Sequence, residues 1–163
     1  MPAKKVNLDK LDHEIIQTLH KDARASATEI ARVTGANERT IRKRIDRLVE
    51  EQVIRLTAIL NPVTFGYVTA ADIFLEVDPD REEEVIKTLM AMPEVTYLAF
   101  GQGTNDISIE ARFKDNDALR EFIRRTLANM EGVTVTRYAF VPRILRNIDE
   151  WMPPIEDFGI ENE

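Results

Sequence analysis

The sequence predicts an α+β fold in two parts: a winged helix-turn-helix, then a ferredoxin-like βαββαβ domain. Three observations predict it. Apolar residues recur with a helical period in short segments between Asn7 and Leu48, broken at Gly35. Beyond residue 67 the period alternates between that of strands and that of helices in the order β-α-β-β-α-β. The charge also changes sign along the chain. Residues 1–55 hold 12 Lys and Arg against 9 Asp and Glu, a balance of +3, whereas residues 56–163 hold 10 against 20, a balance of −10. Such an asymmetry predicts two domains with different partners.

The first helix is expected from Asn7 to His20. Leu8, Leu11, Ile15, Ile16 and Leu19 form one buried stripe, Asn7 is the candidate N-cap, and Asp9 and Asp12 lie early, where the helix dipole favours negative charge. A short helix with Ile30, Ala31 and Val33 follows, capped by Ser26 or Thr28, with Ala31 small enough for a close helix crossing. Gly35 supplies a left-handed turn, and Asn37 caps the third helix. There Ile41, Ile45 and Leu48 point inward, so Arg39, Arg42, Lys43 and Arg47 fall on outward or flanking faces. Basic groups so placed can pair with phosphate oxygens or reach guanine edges. A solvated helix face is the plain alternative for charges alone. The spacing of Ala31, Gly35 and Ile41, in a locally basic domain, favours double-stranded DNA as the partner. The residues expected to contact DNA are Thr28, Asn37, Glu38, Arg39, Thr40, Arg42, Lys43 and Arg47.

Val53–Leu60 is short and rich in β-branched residues, and Asn61-Pro62 stops it, which predicts a strand serving as linker or wing. The expected division is 1–55 for the DNA-binding domain, 56–66 for strand and hinge, 67–148 for the second domain and 149–163 for an acidic tail. In the second domain Tyr67–Val77 is a strand. Asp80–Met92 is a helix with Val85, Ile86, Leu89 and Met92 on one side. Val95–Phe100 is a strand, Gly101–Asp106 a loop, and Ile107–Phe113 a cleanly alternating strand. Asp115 caps a helix carrying Leu119, Phe122, Ile123, Leu127 and Met130. Gly132 ends that helix, and Val133–Val141 is the last strand. Two helices cover one sheet face. The other is expected to keep apolar side chains such as Phe74 and Phe100, and an apolar open face predicts a homodimer and a larger assembly.

Composition narrows the function. The chain has no cysteine, which removes disulfides, thiolate catalysis and Cys-type zinc sites and fits a reducing cytoplasm. No run of 18 apolar residues is present, and the first residues turn polar too soon for a secretory signal, so neither a membrane nor export is expected. The only histidines, His13 and His20, lie in the first helix as ordinary helix residues; no metal site, resident cofactor or catalytic group is expected.

Leu8-Asp-Lys-Leu-Asp12, Ser26-Ala-Thr-Glu-Ile-Ala31, Arg42-Lys-Arg-Ile-Asp-Arg-Leu48, Val53-Ile54 and Gly103-Thr-Asn-Asp106, in that order, resemble the Lrp/AsnC (feast/famine) regulators over residues 7–148. The resemblance implies a RAM-type second domain that dimerises and binds an amino-acid effector, with dimers assembling to octamers. It maps the family's Gly-x-x-Asp loop onto Gly103, Thr104, Asn105 and Asp106, with Gly101 just before. A glycine admits a ligand carboxylate close to backbone N–H groups, and an aspartate accepts bonds from an α-ammonium; a polar turn has the same composition. Two positions depart from the family. Gln52 stands where a helix-ending glycine is usual, so a left-handed cap there costs about 1 kcal/mol or the helix ends differently. Asn105 stands where an aromatic residue often precedes the aspartate. The tail, with Trp151 as its expected anchor, is unmatched. The resulting expectation is a transcription regulator whose assembly and operator affinity respond to an amino acid. The alternatives are a ligand-independent DNA-architectural protein and an enzyme like the tetrapyrrole decarboxylases that share this look.

Overall fold

The computed structural model describes residues 6–101 and 106–160. The chain forms two compact units, Met1–Ile59 with Arg146–Glu163, and Leu60–Leu145.

In the first unit α1 (Lys10–Lys21), α2 (Ala27–Thr34) and α3 (Glu38–Glu50) enclose a core of Ile15, Leu19, Ile30, Ile41 and Leu48. Burying each of these side chains contributes roughly 1.5–3 kcal/mol. Leu8, Leu11, Ile16 and Ile45 pack around them as the stripe predicts, while Val33 points outward. The start of α1 differs from the expected Asn7 cap. Asp9 is the cap: its carboxylate accepts from the Asp12 N–H at 3.0 Å, and the Asp12 carboxylate accepts from the Asp9 N–H at 3.1 Å. This reciprocal pair satisfies two orphan donors of the first turn, which one Asn cannot do. Ser26 and Glu29 form the same kind of box on α2, and Gly35 ends that helix at φ +72°.

The end of α3 takes the strained option. Gln52 adopts φ +58°, and the N–H groups of Gln52 and Val53 bond to the carbonyls of Val49 and Leu48. That closes a Schellman turn on a residue whose Cβ disfavours it. Gln52→Gly is therefore expected to raise the stability of this unit by about 0.5–1 kcal/mol in urea unfolding, and a loss of stability would refute the strain. The strand and wing expected over 53–61 do not form: among the described residues of this unit there is no strand. Val53 and Ile54 are drawn into the helical core instead, their N–H groups both bonded to the Leu48 carbonyl.

In the second unit the order is β1 (Thr69–Val77), α4 (Glu82–Met90), β2 (Val95–Phe100), β3 (Ile107–Phe113), α5 (Asn116–Glu121) and β4 (Val133–Phe140). A π-helical turn, Phe122–Leu127, continues α5. The sheet runs β2-β3-β1-β4 with antiparallel neighbours, the ferredoxin-like arrangement. Ala71, Ile73, Leu75 and Val77 of β1 and Ile107, Ile109, Ala111 and Phe113 of β3 face Val85, Leu89, Leu119, Phe122 and Leu127 of the helical layer.

The open sheet face is not the apolar surface expected. Phe100 pairs with Ile107, so the pleat puts it on the helix side, at the sheet edge. The open face carries Asp72, Glu76, Ser108, Glu110 and Arg112 beside Phe74, with the Arg137 guanidinium 4.3 Å over the Phe74 ring and Arg112 paired to Glu110 at 2.8 Å.

Residues 146–160 pack on the first unit. Trp151 is not the anchor; it stays 55% exposed. The anchor is Phe158, in the one-turn helix Ile155–Phe158, which is 2% exposed with its ring edge-to-face with His13 at 4.8 Å. Gly159, at φ +70°, carries the chain past the Leu8 carbonyl. Pro153-Pro154 followed by Ile155 and Phe158 is the sequence signal of this short amphipathic turn.

Candidate nucleic-acid interface and effector loop

The core of α3 is fixed by Ile41 and Leu48, which places Arg39 and Lys43 on the opposite side of the helix, exposed to solvent. Thr40 is exposed beside them, and Asn37 caps the helix by accepting from the Arg39 N–H at 2.8 Å. Asp46 and Glu50 occupy the same side further along, so cationic contact is confined to the first two turns of α3. That is the part of a recognition helix that meets base edges.

Thr28 and Glu38 serve to hold this surface in shape. The Thr28 hydroxyl donates to Glu38 Oε2 at 2.8 Å, and Arg42 donates to Glu38 Oε1 at 2.6 Å. The bond from Arg42 first, and that from Thr28 second, hold the Glu38 carboxyl below the usual range. This bridge ties α2 to α3 and restrains Arg42, leaving its guanidinium exposed.

Arg47, expected among the DNA contacts, is engaged with the buried Asp12 instead. It donates to Asp12 Oδ2 at 2.6 Å, and Arg44 donates to both Asp12 oxygens at 3.0 Å and to Asp9 at 2.7 Å. Asp12 is completely buried, and an ionised group without water needs such partners. Sequence reasoning placed Arg47 among the DNA contacts and missed the role of Asp12. Burial pushes the Asp9 carboxyl up, but bonds from the Asp12 N–H and Arg44 outweigh it, and the net direction is down. The Arg44 guanidinium is raised by the bonds to Asp9 and Asp12.

In the second unit Gly103, Thr104 and Asn105 lie outside the described residues; Gly101 and Asp106 close the loop ends. The Gly101 N–H donates to the Asp106 carbonyl at 2.8 Å, and the Asp106 N–H donates to the Leu75 carbonyl at 3.0 Å. The Asp106 carboxylate accepts from the Val77 N–H at 2.9 Å, which leaves its other oxygen outside that bond. Asp106 therefore fastens the loop to the end of β1. It also borders an open cleft of about 530 Å³ lined by Glu76, Val77, Asp78, Gly132, Val133 and Thr134. Among the described residues that line it are the acids Glu76, Asp78 and Asp106 and no Lys or Arg, a composition that favours an ammonium group. Sequence reasoning did not find Glu76, Asp78 or Gly132. At Gly132 the φ is +76°, and a Cβ would stand 3.0 Å from Arg81 Cγ and 3.1 Å from Asp78 Cβ. Among the described residues no group of three or more metal-ligating side chains assembles, and no helix is long and apolar enough to cross a membrane.

The fold and the charged third helix define a helix-turn-helix DNA-binding protein with an α+β partner domain. Residues 8–49 match the AsnC-type helix-turn-helix domain and residues 71–147 the Lrp/AsnC ligand binding domain. An uncharacterized HTH-type transcriptional regulator of Pyrococcus horikoshii is 35% identical over 91% of this chain and 92% of its own length. The HTH-type transcriptional regulator FL11 of Pyrococcus furiosus is 33% identical over 88% of this chain and 95% of its own. The chain belongs to the Lrp/AsnC family of transcriptional regulators. Among solved structures, a transcriptional regulator of Neisseria meningitidis in complex with L-Met superposes with a TM-score of 0.80 at 24% identity, covering 86% of this chain and 94% of that one. AsnC of E. coli also superposes at 0.80, with 23% identity over 88% of this chain and 99% of its own.

Proposed function

We propose that this regulator binds operator DNA as a homodimer and that an amino acid, held where Gly101 and Asp106 close their loop, shifts its assembly state and thereby its operator affinity. The observation that carries the effector reading is the Asp106 carboxylate, fastened on one side to β1 and bordering a cleft with Glu76 and Asp78. Fixed carboxylates suit the α-ammonium of an amino acid. The L-Met held by the Neisseria relative supports the ligand class. Exposed apolar residues at Leu56, Ile59, Leu60, Val63, Phe65 and Val68 support a second copy as partner, in dimers that build to an octamer. Two assembly states that space the helix-turn-helix units differently have different affinities for a pseudo-palindrome, which is the coupling. The function is regulatory rather than enzymatic, and it is exercised in the cytoplasm on chromosomal DNA.

A thermal-shift screen of the proteinogenic amino acids tests this reading. A ligand at about 100 times its Kd adds about 2.7 kcal/mol to the folded state, a shift of several degrees. Asp106→Asn keeps an acceptor for the Val77 N–H and removes the charge, so it is expected to abolish the shift while leaving the unliganded transition in place. No shift with any amino acid would remove the effector and leave a DNA-architectural protein; an undiminished shift in Asp106→Asn would move the site elsewhere.

A further inference from the structure

Residues 148–163 of the C-terminal tail lie outside both matched domains, yet the tail is part of the DNA-binding unit. Its polarity alternates with purpose. Met152, Pro153, Ile155 and Ile160 are half-buried and Phe158 is fully so, while Asp149, Glu150, Glu156 and Asp157 stand in solvent. Burying a Phe contributes roughly 1.5–3 kcal/mol, enough to hold a short tethered segment in place for most of the time. What the seat achieves is electrostatic. Residues 1–59 hold 12 Lys and Arg against 9 Asp and Glu, a balance of +3. Residues 146–163 bring one Arg and six acids, a balance of −5, so the complete unit stands at −2.

We propose that the tail is an intramolecular acidic clasp: Phe158, seated on α1 at His13, holds the acidic tail on the DNA-binding unit and weakens its attraction to DNA phosphates. The range of the field supports this. A unit of this size has a radius of gyration of about 11 Å. The Debye length is about 30 Å at 0.01 M salt and about 8 Å at 0.15 M, so at low salt the tail charges act across the whole unit and at physiological salt they act on its near side. Phosphate attraction is the sequence-independent part of DNA binding and dominates contact with bulk DNA. The docked clasp therefore lowers occupancy of bulk DNA, and whatever displaces Phe158 from α1 raises it. Nothing in this scheme requires an effector, so it stands apart from the loop at Asp106.

The test is titration of a duplex of unrelated sequence with the full-length chain across a salt series. In one variant Asp149→Asn, Glu150→Gln, Glu156→Gln and Asp157→Asn remove four of the six tail acids and leave Phe158 seated. It is expected to bind about three- to tenfold tighter at 0.01 M salt, with the gain shrinking below about twofold at 0.3 M. A second variant, Phe158→Ala, releases the tail and is expected to gain affinity in the same direction with its circular dichroism unchanged. If that chain does not fold, the neutralised variant decides alone. Binding equal to the parent chain in the neutralised form overturns the clasp, as does a gain that does not fall with salt. If every form binds the duplex equally, the clasp alone is lost; if none binds at any salt, the regulator reading falls with it.

Discussion

Replacing Arg44 and Arg47 together by alanine is expected to destabilise the DNA-binding unit by about 3–5 kcal/mol, a large share of the roughly 5–15 kcal/mol that holds a typical domain folded. The Asp12 carboxylate is at zero exposure, and those guanidiniums reach it at 2.6 and 3.0 Å. Without them an ionised carboxylate remains inside with only the Asp9 N–H as donor. The helix packing must then open to bring water to it. Asp12→Asn is expected to cost less, about 1–2 kcal/mol, because the arginines keep 28% and 35% of their side-chain surface in water and can rehydrate. Urea unfolding followed by circular dichroism measures both. The ligand domain has its own core and serves as the internal reference. The account fails if Asp12→Asn proves costlier than the double arginine change, since the penalty would then lie in the bonds rather than in a stranded charge.

The same cluster shows what the sequence disclosed and what it hid. Asp12 lies four residues after Leu8 and three before Ile15, squarely on the apolar stripe of α1. A carboxylate on a buried stripe demands cationic partners on the helix that packs there, so the pairing with Arg44 and Arg47 was legible in principle. The dipole argument, which explains any acid in a first turn, obscured it. Helices and strands with clean periods, such as α4 and Ile107–Phe113, were legible because one buried face dictates the pattern. The wing was not, because a β-branched run becomes a strand only if a partner strand exists, and here Val53 and Ile54 found the helical core first. Phe100 was misplaced because the β2 register shifts between Val95 and Tyr97, and register is a property of the pair, not of one strand. The tail was missed because residues far apart in sequence, His13 and Phe158, make the contact. At the loop, the fastening of Asp106 to the Val77 N–H depends on the chain returning beside β1, which no local motif encodes.

Arg39→Ala with Lys43→Ala is expected to weaken operator binding about 10- to 100-fold at physiological salt. Both side chains project from the first two turns of α3 opposite Ile41 and Leu48, and both are exposed, so their removal leaves the core untouched. The thermal transition is expected to stay within about 0.5 kcal/mol of the parent chain, which separates this pair from Arg44 and Arg47. If both side chains meet phosphates, the slope of log K against log salt falls by about 0.9 for each, close to 2 for the pair. If one reads a guanine edge instead, its loss relaxes discrimination at that base pair by about 1–3 kcal/mol and changes the slope less. Arg42→Ala is expected to have a smaller effect, because Arg42 already balances Glu38 and brings little net charge to DNA. Unchanged affinity and slope in the double variant would mean that α3 does not face the phosphates. Loss of binding on Arg42→Ala alone would show that the Thr28–Glu38–Arg42 bridge, rather than the two outermost cations, presents the helix to the groove.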